Sequence, residues 1–322
     1  MDLIAHILLF IFSFLILFFS SSFLIESLKK ISRFLKWKEF VVSFFTIAIA
    51  TTIPNLVVDV ISALNKVSIL AFGDVVGTNI CSLTLIIGLS AIISKAGLSV
   101  PSRTVQGSAI FTILVAVLPL LLALDGNLNR IDGILLLSAF LFYLSWLFQK
   151  RERFEKVYDK DVGSQNIKSF LKHVLFFIFS AVLLYLAGRQ IVNSAIFFSK
   201  YFYLDLGIIG ILIVGFGNAL PELSFTLQAA RKSQDWFIVG DVMGSVILTA
   251  TLVLGSVVLI SPIENLELSP FFIARIFLLI SALFFLVFIK TGKKITAREG
   301  YFLVLIYFIF LTFEILTQIW LK

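Results

Sequence analysis

Apolar runs long enough to cross a bilayer recur along the whole chain, with short polar segments between them. The hydrocarbon core of a membrane is about 30 Å thick, so a helix of roughly 20 apolar residues spans it. The sequence holds ten such stretches and therefore predicts an all-α membrane protein with ten transmembrane helices. The predicted spans are 3–25, 38–64, 69–94, 103–124, 131–149, 171–199, 205–231, 236–260, 269–290 and 297–321.

Two segments, 48–94 and 215–261, are weak copies of each other at an offset of 167 residues. Within them a Gly-Asp-Val-x-Gly-Thr/Ser run occurs at 73–78 and again at 240–245. Duplicated polar interruptions of this kind are typical of transporters whose site lies between two structural repeats. Because five spans are an odd number, the second set must enter the membrane from the opposite side. The chain is therefore predicted to form two inverted five-helix repeats, 1–149 and 171–322, joined by a cytoplasmic linker at 150–170.

The distribution of basic residues predicts the orientation in the membrane. The chain has 26 Lys and Arg residues and 19 Asp and Glu residues, which gives a net charge of +7. Most of the basic residues follow predicted spans 1, 3, 5, 7 and 9, so the positive-inside rule places both termini outside the cytoplasm. Because this excess faces anionic lipid, we expect membrane lipid and not nucleic acid as the partner. Heavy use of Phe and Lys without a targeting segment fits the plasma membrane of a prokaryote.

Prolines and polar side chains interrupt spans 2 and 7. Proline removes a backbone donor and kinks a helix, which frees carbonyl oxygens that a cation is able to bind. We therefore expect Pro54 and Pro221 to mark a site rather than ordinary kinks. An acidic side chain inside a membrane span usually has a function or a partner, which makes Glu222 the central candidate. Its neighbours in the site are predicted to be Thr51, Thr52, Asn55, Asp59 and Asn218.

Spans 3 and 8 each carry a polar stripe two helical turns long. The stripes are Asp74, Thr78 and Ser82 in span 3, and Asp241, Ser245 and Thr249 in span 8. Residues four apart share one face of a helix, and their oxygen atoms suit hard cations such as Na⁺ and Ca²⁺. For the two aspartates a second interpretation is equally open, because an Asp near a helix start also serves as a cap or an interfacial charge. The glycines beside them predict close helix packing.

In span count, topology and these motifs, the chain resembles the sodium/calcium exchanger family within the cation/calcium antiporter superfamily. The family pattern Gly-Thr/Ser-Ser-x-Pro-Glu, followed in the next span by Gly-Asn-x-x-Gly-Ser-Asn, is matched in spacing in both halves. The resemblance implies ion ligands at Thr51, Thr52, Asn55, Thr78 and Ser82 in the first half. In the second half it implies ligands at Asn218, Ala219, Glu222, Ser245 and Thr249.

Several residues depart from the family pattern. Positions that lack the usual acid, amide or hydroxyl are Asn55, Ser82, Ala219 and Thr249. Conversely, Asp74 and Asp241 stand where Asn is usual. A dehydrated Ca²⁺ normally takes more than one carboxylate, so Glu222 alone leaves it under-neutralised. Asp59, Asp74 and Asp241 are therefore candidate accessory acids, and Arg189 in span 6 is predicted to pair with a carboxylate or to reach the interface.

The function implied is secondary active cation antiport, with Ca²⁺ exchanged for Na⁺ by alternating access between spans 2, 3, 7 and 8. Two alternatives stay open: an H⁺-coupled cation exchanger, in which Glu222 changes protonation state, and a divergent member with lost or altered transport. We expect no enzyme activity, because no zinc motif and no serine–histidine or aspartyl pair is found. The transported cations Ca²⁺, Na⁺ or H⁺ are expected in place of a cofactor. We expect a monomer and leave an oligomer open.

Overall fold

The structure, a computed structural model, shows a helical protein. It describes residues 3–34, 52–94, 97–99, 103–149, 167–232, 235–264, 266, 270–292 and 294–320. Within this part of the chain two short strands, β1 (Leu98–Ser99) and β2 (Lys294–Ile295), form one antiparallel pair.

The described residues form ten helices, numbered here in chain order. Their bounds are Leu3–Phe34 (α1), Ile53–Leu64 (α2), Ser68–Ile93 (α3), Arg103–Leu122 (α4), Arg130–Gln149 (α5), Ile167–Phe202 (α6), Leu206–Arg231 (α7), Asp235–Leu248 continuing to Ile260 (α8), Phe272–Gly292 (α9) and Ala297–Trp320 (α10).

Eight of these helices are long and apolar enough to cross a membrane. The prediction of a helical, multi-pass membrane protein is therefore confirmed. The number of ten spans stays a prediction, because α2 has only 12 described residues and α5 is not among the eight. The first part of predicted span 2 lies outside the described residues.

The eight long helices differ in how deeply they lie in the protein. In the most apolar stretch of each helix, the buried share is 83% for α3 and 72% for α8. It is only 17% for α6 and 28% for α1. A membrane protein exposes apolar side chains to lipid, so α1 and α6 lie at the outside and α3 and α8 form the interior. The polar stripes predicted on spans 3 and 8 are therefore enclosed by protein.

Two large apolar clusters hold the described helices together. Side chains of α1, α2 and α6, with others from the starts of α3 and α7, form one cluster, which includes Leu17, Val58 and Ile191. The other joins α3, α4, α5 and the helices from α7 to α10 around Phe72 and Phe285. The central helices α3 and α7 contribute to both clusters, so residues on them are held from two sides.

Packing contacts recur at the offset of the sequence duplication. A Cβ added at Gly88 of α3 would lie 2.7 Å from the carbonyl oxygen of Gly300 in α10. A Cβ added at Gly255 of α8 would lie 3.1 Å from the carbonyl oxygen of Gly133 in α5. Each residue of the first pair is 167 positions from a residue of the second. The last helix of each half, α5 or α10, is therefore attached to the opposite half by an equivalent glycine contact.

Irregular backbone also recurs at this offset. The α-helical hydrogen-bond pattern of α3 changes to a π-helical one over Ser82–Ile86, and that of α8 does so over Thr249–Val253. A third π-helical stretch, Gly210–Val214, lies in α7. Such segments are rare and often mark functional sites. The first two stretches begin with Ser82 and Thr249 of the polar stripes. The third is followed directly by Gly215, whose carbonyl oxygen accepts a hydrogen bond from Thr78.

The predicted interruption of span 7 by Pro221 is wrong. An α-helix runs without a break from Gly215 to Arg231 through this proline, and the irregular stretch lies before it. Pro54 lies in the first turn of α2, where its missing N–H leaves no intrahelical hydrogen bond unmade. Residues 35–51, before Thr52 and α2, lie outside the described ranges.

Glycines bring the backbones of α3 and α7 together, as predicted for span 3. A Cβ added at Gly73 would lie 2.0 Å from the carbonyl oxygen of Gly207, and one at Gly77 would lie 2.3 Å from that of Ile211. No side chain fits at either distance. The matching glycines of α8, Gly240 and Gly244, have no described atom within 4 Å of an added Cβ, so among the described residues no close helix contact is found at these two positions.

We predict that Gly77→Ala lowers the melting temperature of the detergent-solubilised protein, because the new methyl group meets backbone atoms of α7. Overpacking of this kind costs about 1–3 kcal/mol. The matched control is Gly244→Ala, at the equivalent position of α8. Equal melting temperatures for the two variants would contradict the close contact of α3 with α7.

Candidate ion-binding site

Glu222 lies buried in α7, between the polar stripes of α3 and α8. Glu222 is 2% exposed to solvent. Ser82 of α3 donates a hydrogen bond to its Oε2 atom at 3.1 Å, and Ser245 of α8 donates to the same atom at 2.9 Å. Oε1 has no hydrogen-bond partner among the described residues. One carboxylate oxygen therefore joins three helices, and the other is available to a ligand.

The first stripe of predicted ligands continues from Ser82 toward the start of α3. Thr78 donates to Oδ1 of Asp74 at 2.9 Å and to the carbonyl oxygen of Gly215 at 3.1 Å. Asn218 of α7 donates to Oδ2 of the same aspartate. Asp74, Thr78 and Asn218 therefore form one hydrogen-bonded group across α3 and α7.

The structure decides between the two interpretations of Asp74. The residue lies inside α3, more than a turn beyond its start at Ser68, and it is 0% exposed. An N-cap or interfacial charge would lie at the helix end in contact with water or lipid head groups. The interpretation of Asp74 as a capping or interfacial charge is therefore wrong, and Asp74 belongs to the buried polar group.

Asp59 lies beside Asp74. It is 0% exposed in α2, and its carboxyl group is close enough to that of Asp74 for the two to interact. Neither oxygen of Asp59 has a donor among the described residues. The predicted accessory acids Asp59 and Asp74 are therefore together, on the side of the site away from Ser82.

Asp241 completes the set of acids. It is 4% exposed in α8, and its carboxyl group lies close enough to that of Glu222 for the two charges to interact. The two candidate carboxylates of the second half thus interact with each other, as Asp59 and Asp74 do in the first. The acids lie in two pairs, and no group of three or more His, Cys, Asp or Glu residues gathers in the part of the chain that the structure describes.

The remaining predicted ligands take different positions. Thr249 donates to Oδ1 of Asn79 at 2.7 Å, which links α8 directly to α3. Thr52 and Asn55 are both buried at the start of α2, but within the described ranges the side-chain donors to the Glu222 carboxylate are Ser82 and Ser245, not these two residues. Thr51 lies outside the described residues.

Asn79 is a polar residue of the centre that our sequence reasoning missed. It is 1% exposed, and its Nδ2 atom has no partner among the residues described. The signal was present, because Gly77-Thr78-Asn79 matches the Gly-Ser-Asn end of the family pattern. The four-residue spacing of the stripe selects Thr78 and Ser82 but not Asn79, which follows Thr78.

Among the described residues, no basic side chain balances the carboxyl groups of Asp59, Asp74 and Glu222. Arg189, predicted to pair with a carboxylate or to reach the interface, is exposed on α6, so the prediction of a buried pair is wrong. Within the described ranges no Lys or Arg lies within ion-pair distance of Asp59, Asp74 or Glu222. Uncompensated carboxylates in a low-dielectric interior require protons or cations.

The site is thus a buried set of hard oxygen atoms with excess negative charge. Carboxylate, amide, hydroxyl and backbone carbonyl oxygens are the ligands that Na⁺ and Ca²⁺ prefer. Enclosed in a bundle of membrane-crossing helices, such a set is typical of a membrane transporter for cations.

Comparison with known proteins identifies the family. The family model for the sodium/calcium exchanger protein matches the chain twice, over residues 5–149 and 172–316. The chain therefore belongs to the sodium/calcium exchanger family of cation antiporters, as its motifs suggested. Membership makes it a transporter and not an enzyme.

Similar proteins come from archaea and bacteria. The sodium/calcium exchanger MaX1 of Methanosarcina acetivorans is 27% identical, over 90% of this chain and 93% of its own length. The inner membrane protein YrbG of Escherichia coli is 25% identical over 70% of each chain. A solved structure of the sodium–calcium exchanger NCX_Mj, soaked with Na⁺ and Sr²⁺, matches 97% of this chain and 99% of its own at 23% identity, with a TM-score of 0.64. This last likeness shows the fold.

We predict that the double variant Ser82→Ala/Ser245→Ala binds cations more weakly, because Glu222 loses both hydrogen bonds that orient it. Hydrogen bonds to a charged group contribute about 1.5–3 kcal/mol each, so we expect at least about a tenfold loss of apparent affinity. Cation-dependent thermal stabilisation measures it.

The control for this prediction is Ser256→Ala in α8. The hydroxyl of Ser256 donates only to the carbonyl oxygen of Leu252 in its own helix. Its cation affinity should equal that of the unchanged protein. An unaltered affinity in the double variant would contradict the orienting role of the two serines.

Proposed function

We propose that this protein is a secondary active cation antiporter that exchanges Ca²⁺ for Na⁺, with Glu222 as its central ion ligand. The observation that supports this most is the bridging position of Glu222. Ser82 and Ser245 hold one of its oxygens from two other helices while the second oxygen has no partner among the described residues. A side chain held in this way is oriented before an ion arrives, which favours binding.

The location of the site supports alternating access. Ser82 and Ser245 lie near the midpoints of α3 and α8, so an ion at Glu222 would be about equally far from both membrane surfaces. Transporters built from inverted repeats place their substrate there. We propose that the chain has ten spans in two inverted repeats, divided at the linker 150–170, and that α1 and α6 move past the central helices.

Exchange follows from the charge of the site. A centre that holds either one divalent cation or monovalent cations, but not both, couples the movement of one ion to that of the other. Empty, it leaves the buried Glu222 carboxylate uncompensated. We infer that the empty centre does not change its accessibility readily, so that ions cross in exchange and do not leak.

The cellular setting follows from the charge distribution. We propose a multi-pass protein of the prokaryotic plasma membrane, with both termini outside and the linker in the cytoplasm. Membrane lipid and transported cations are its partners, and no cofactor is required. We propose that the monomer is the transporting unit, because all the candidate ligands come from one chain.

We predict that Glu222→Gln abolishes counter-ion-driven uptake in proteoliposomes while the protein stays folded. The amide keeps the shape of the side chain but removes its charge, and cation binding at this centre depends on that charge. The measurement is flux of Ca²⁺ and a panel of other cations, driven in turn by Na⁺ and pH gradients. Uptake driven by the Na⁺ gradient supports Na⁺ coupling, and uptake driven only by the pH gradient supports the H⁺-coupled alternative.

The matched control is Glu314→Gln in α10, which neutralises a carboxyl that is also 0% exposed but lies outside the site. Transport should continue in that variant. Retained uptake in Glu222→Gln would remove the role proposed for Glu222, and absence of flux for every cation in the unchanged protein would favour a divergent, non-transporting member.

A further inference from the structure

The aromatic ring of Phe14, on the outer helix α1, lies directly on the backbone of the central helix α7. A Cβ added at Gly217 would lie 2.5 Å from the Cζ atom of this ring, and 2.8 and 2.9 Å from its two Cε atoms. The absence of a side chain at Gly217 therefore leaves a notch in α7 that the ring fills. Gly217 directly precedes Asn218, which donates a hydrogen bond to Asp74. The ring thus meets α7 next to the buried polar group.

Other aromatic side chains connect Phe14 to α6. Helix α1 packs along its length against α6, whereas its contact with α7 is confined to a short stretch. The ring of Phe10 lies edge-on to that of Phe14, with 4.8 Å between the centroids, and edge-on to that of Phe198 in α6, at 5.4 Å. Near the start of α1, His6 stacks on Phe197 of α6. The pair formed by α1 and α6 is therefore held together by aromatic contacts and meets the notch of α7 through Phe14.

The fit of the ring into the notch resists movement of α1. Phe14 is buried, although α1 as a whole lies at the outside of the protein. Between helices in lipid, close packing against small residues takes the place of the hydrophobic effect as the source of association. An aromatic ring makes many such contacts at once, each of them weak. If α1 slides along its axis, the ring leaves the notch and all of these contacts are lost together.

The duplication shows that this contact has no equivalent in the other half. The residue 167 positions after Phe14 is Ala181 of α6, and the residue 167 positions before Gly217 is Ala50, which lies outside the described residues. In a transporter made of two inverted repeats, the repeats exchange roles between the two access states. The second state would then place Ala181 where Phe14 lies now, and an alanine has no ring to fill a notch. Packing of an aromatic ring is therefore available to one state only.

We propose that the contact of Phe14 with Gly217 is a docking point that favours the present position of α1 and α6 over that of the opposite access state. Because the two states are then unequally populated, the two membrane faces differ in the fraction of protein that is able to bind a cation. The apparent cation affinity differs between the faces for the same reason. This last consequence rests on the proposed function, whereas the position of α1 is measurable without transport.

The first experiment measures the position of α1 in the full-length protein, in detergent and without added cations. Spin labels are attached at Ile4→Cys in α1 and Leu124→Cys directly after α4, both exposed positions, while the natural Cys81 is buried. Double electron–electron resonance gives the distribution of distances between the labels. Phe14→Ala should at least double the share of molecules at a second distance. The matched control is Phe12→Ala, at an exposed position of the same helix, and it should leave the distribution unchanged.

A second variant removes the same contact from the side of α7. In Gly217→Ala the new methyl group meets the ring of Phe14, so this variant should show the same second distance. The double variant Phe14→Ala/Gly217→Ala should resemble either single variant, because all three lack the same contact. Effects that add in the double variant would contradict the docking point. Since Gly217→Ala creates no cavity, it provides the test if Phe14→Ala does not fold.

The second experiment measures transport from each membrane face. Oriented proteoliposomes give the apparent KM for Ca²⁺ at either face, with the same Na⁺ gradient as driving force. Phe14→Ala should change the ratio of the two KM values at least threefold, because it alters the populations of the two states. Phe12→Ala should leave the ratio as it is in the unchanged protein. A variant that only lowers the amount of folded protein would lower both rates without changing this ratio.

Two results would overturn the proposal. They are an unchanged distance distribution in both Phe14→Ala and Gly217→Ala, and an unchanged KM ratio in a Phe14→Ala protein that transports. Either result would leave the proposed antiport at Glu222 intact. Conversely, shifted distances together with no transport by the unchanged protein would support the docking point and contradict the function.

Discussion

The site depends on the hydrogen bonds of one carboxylate oxygen. Oε2 of Glu222 accepts from Ser82 and Ser245, so it joins α7 to the two most deeply buried helices of the protein. If either serine were displaced, the other oxygen would lose its fixed position. A buried carboxylate without a basic partner destabilises the fold unless its charge is compensated. The same charge that makes the empty site unfavourable makes it a strong ligand for a cation, and this conflict is what an ion carrier requires.

Glycine contacts make that arrangement attainable. Gly73 and Gly77 let the backbone of α3 approach Gly207 and Ile211 of α7 more closely than any side chain would allow. At this separation Thr78 reaches the carbonyl oxygen of Gly215, and short side chains span the gap between helices. Larger residues at the contact would push the helices apart and break the polar group. Packing in a membrane interior is thus achieved with small residues, as expected where lipid supplies no hydrophobic driving force between helices.

The sequence predicted most of the fold because its signals were local. Apolar runs located the helices, and the four-residue spacing of Asp74, Thr78 and Ser82 placed them on one face. The sequence did not reveal how acids on different helices pair, because the approach of α2 to α3 depends on tertiary packing. It also did not show the π-helical stretches, one of which directly precedes the continuous helix that contains Pro221. Sequence alone also left two alternatives open for Arg189, because an arginine on an outer helix cannot be told in sequence from one in the interior.

The departures from the family pattern acquire a physical meaning from these positions. The loss of charge at Asn55 accompanies a gain at Asp59 and Asp74, so the acidic character of the centre is redistributed and not abolished. The central claim is that a cation is bound by the unpartnered oxygen of Glu222. Anomalous diffraction from crystals soaked in Sr²⁺ tests it most directly. The account predicts a peak within coordination distance of Glu222 Oε1, and a crystal with occupied Sr²⁺ sites elsewhere but none at Glu222 would contradict it.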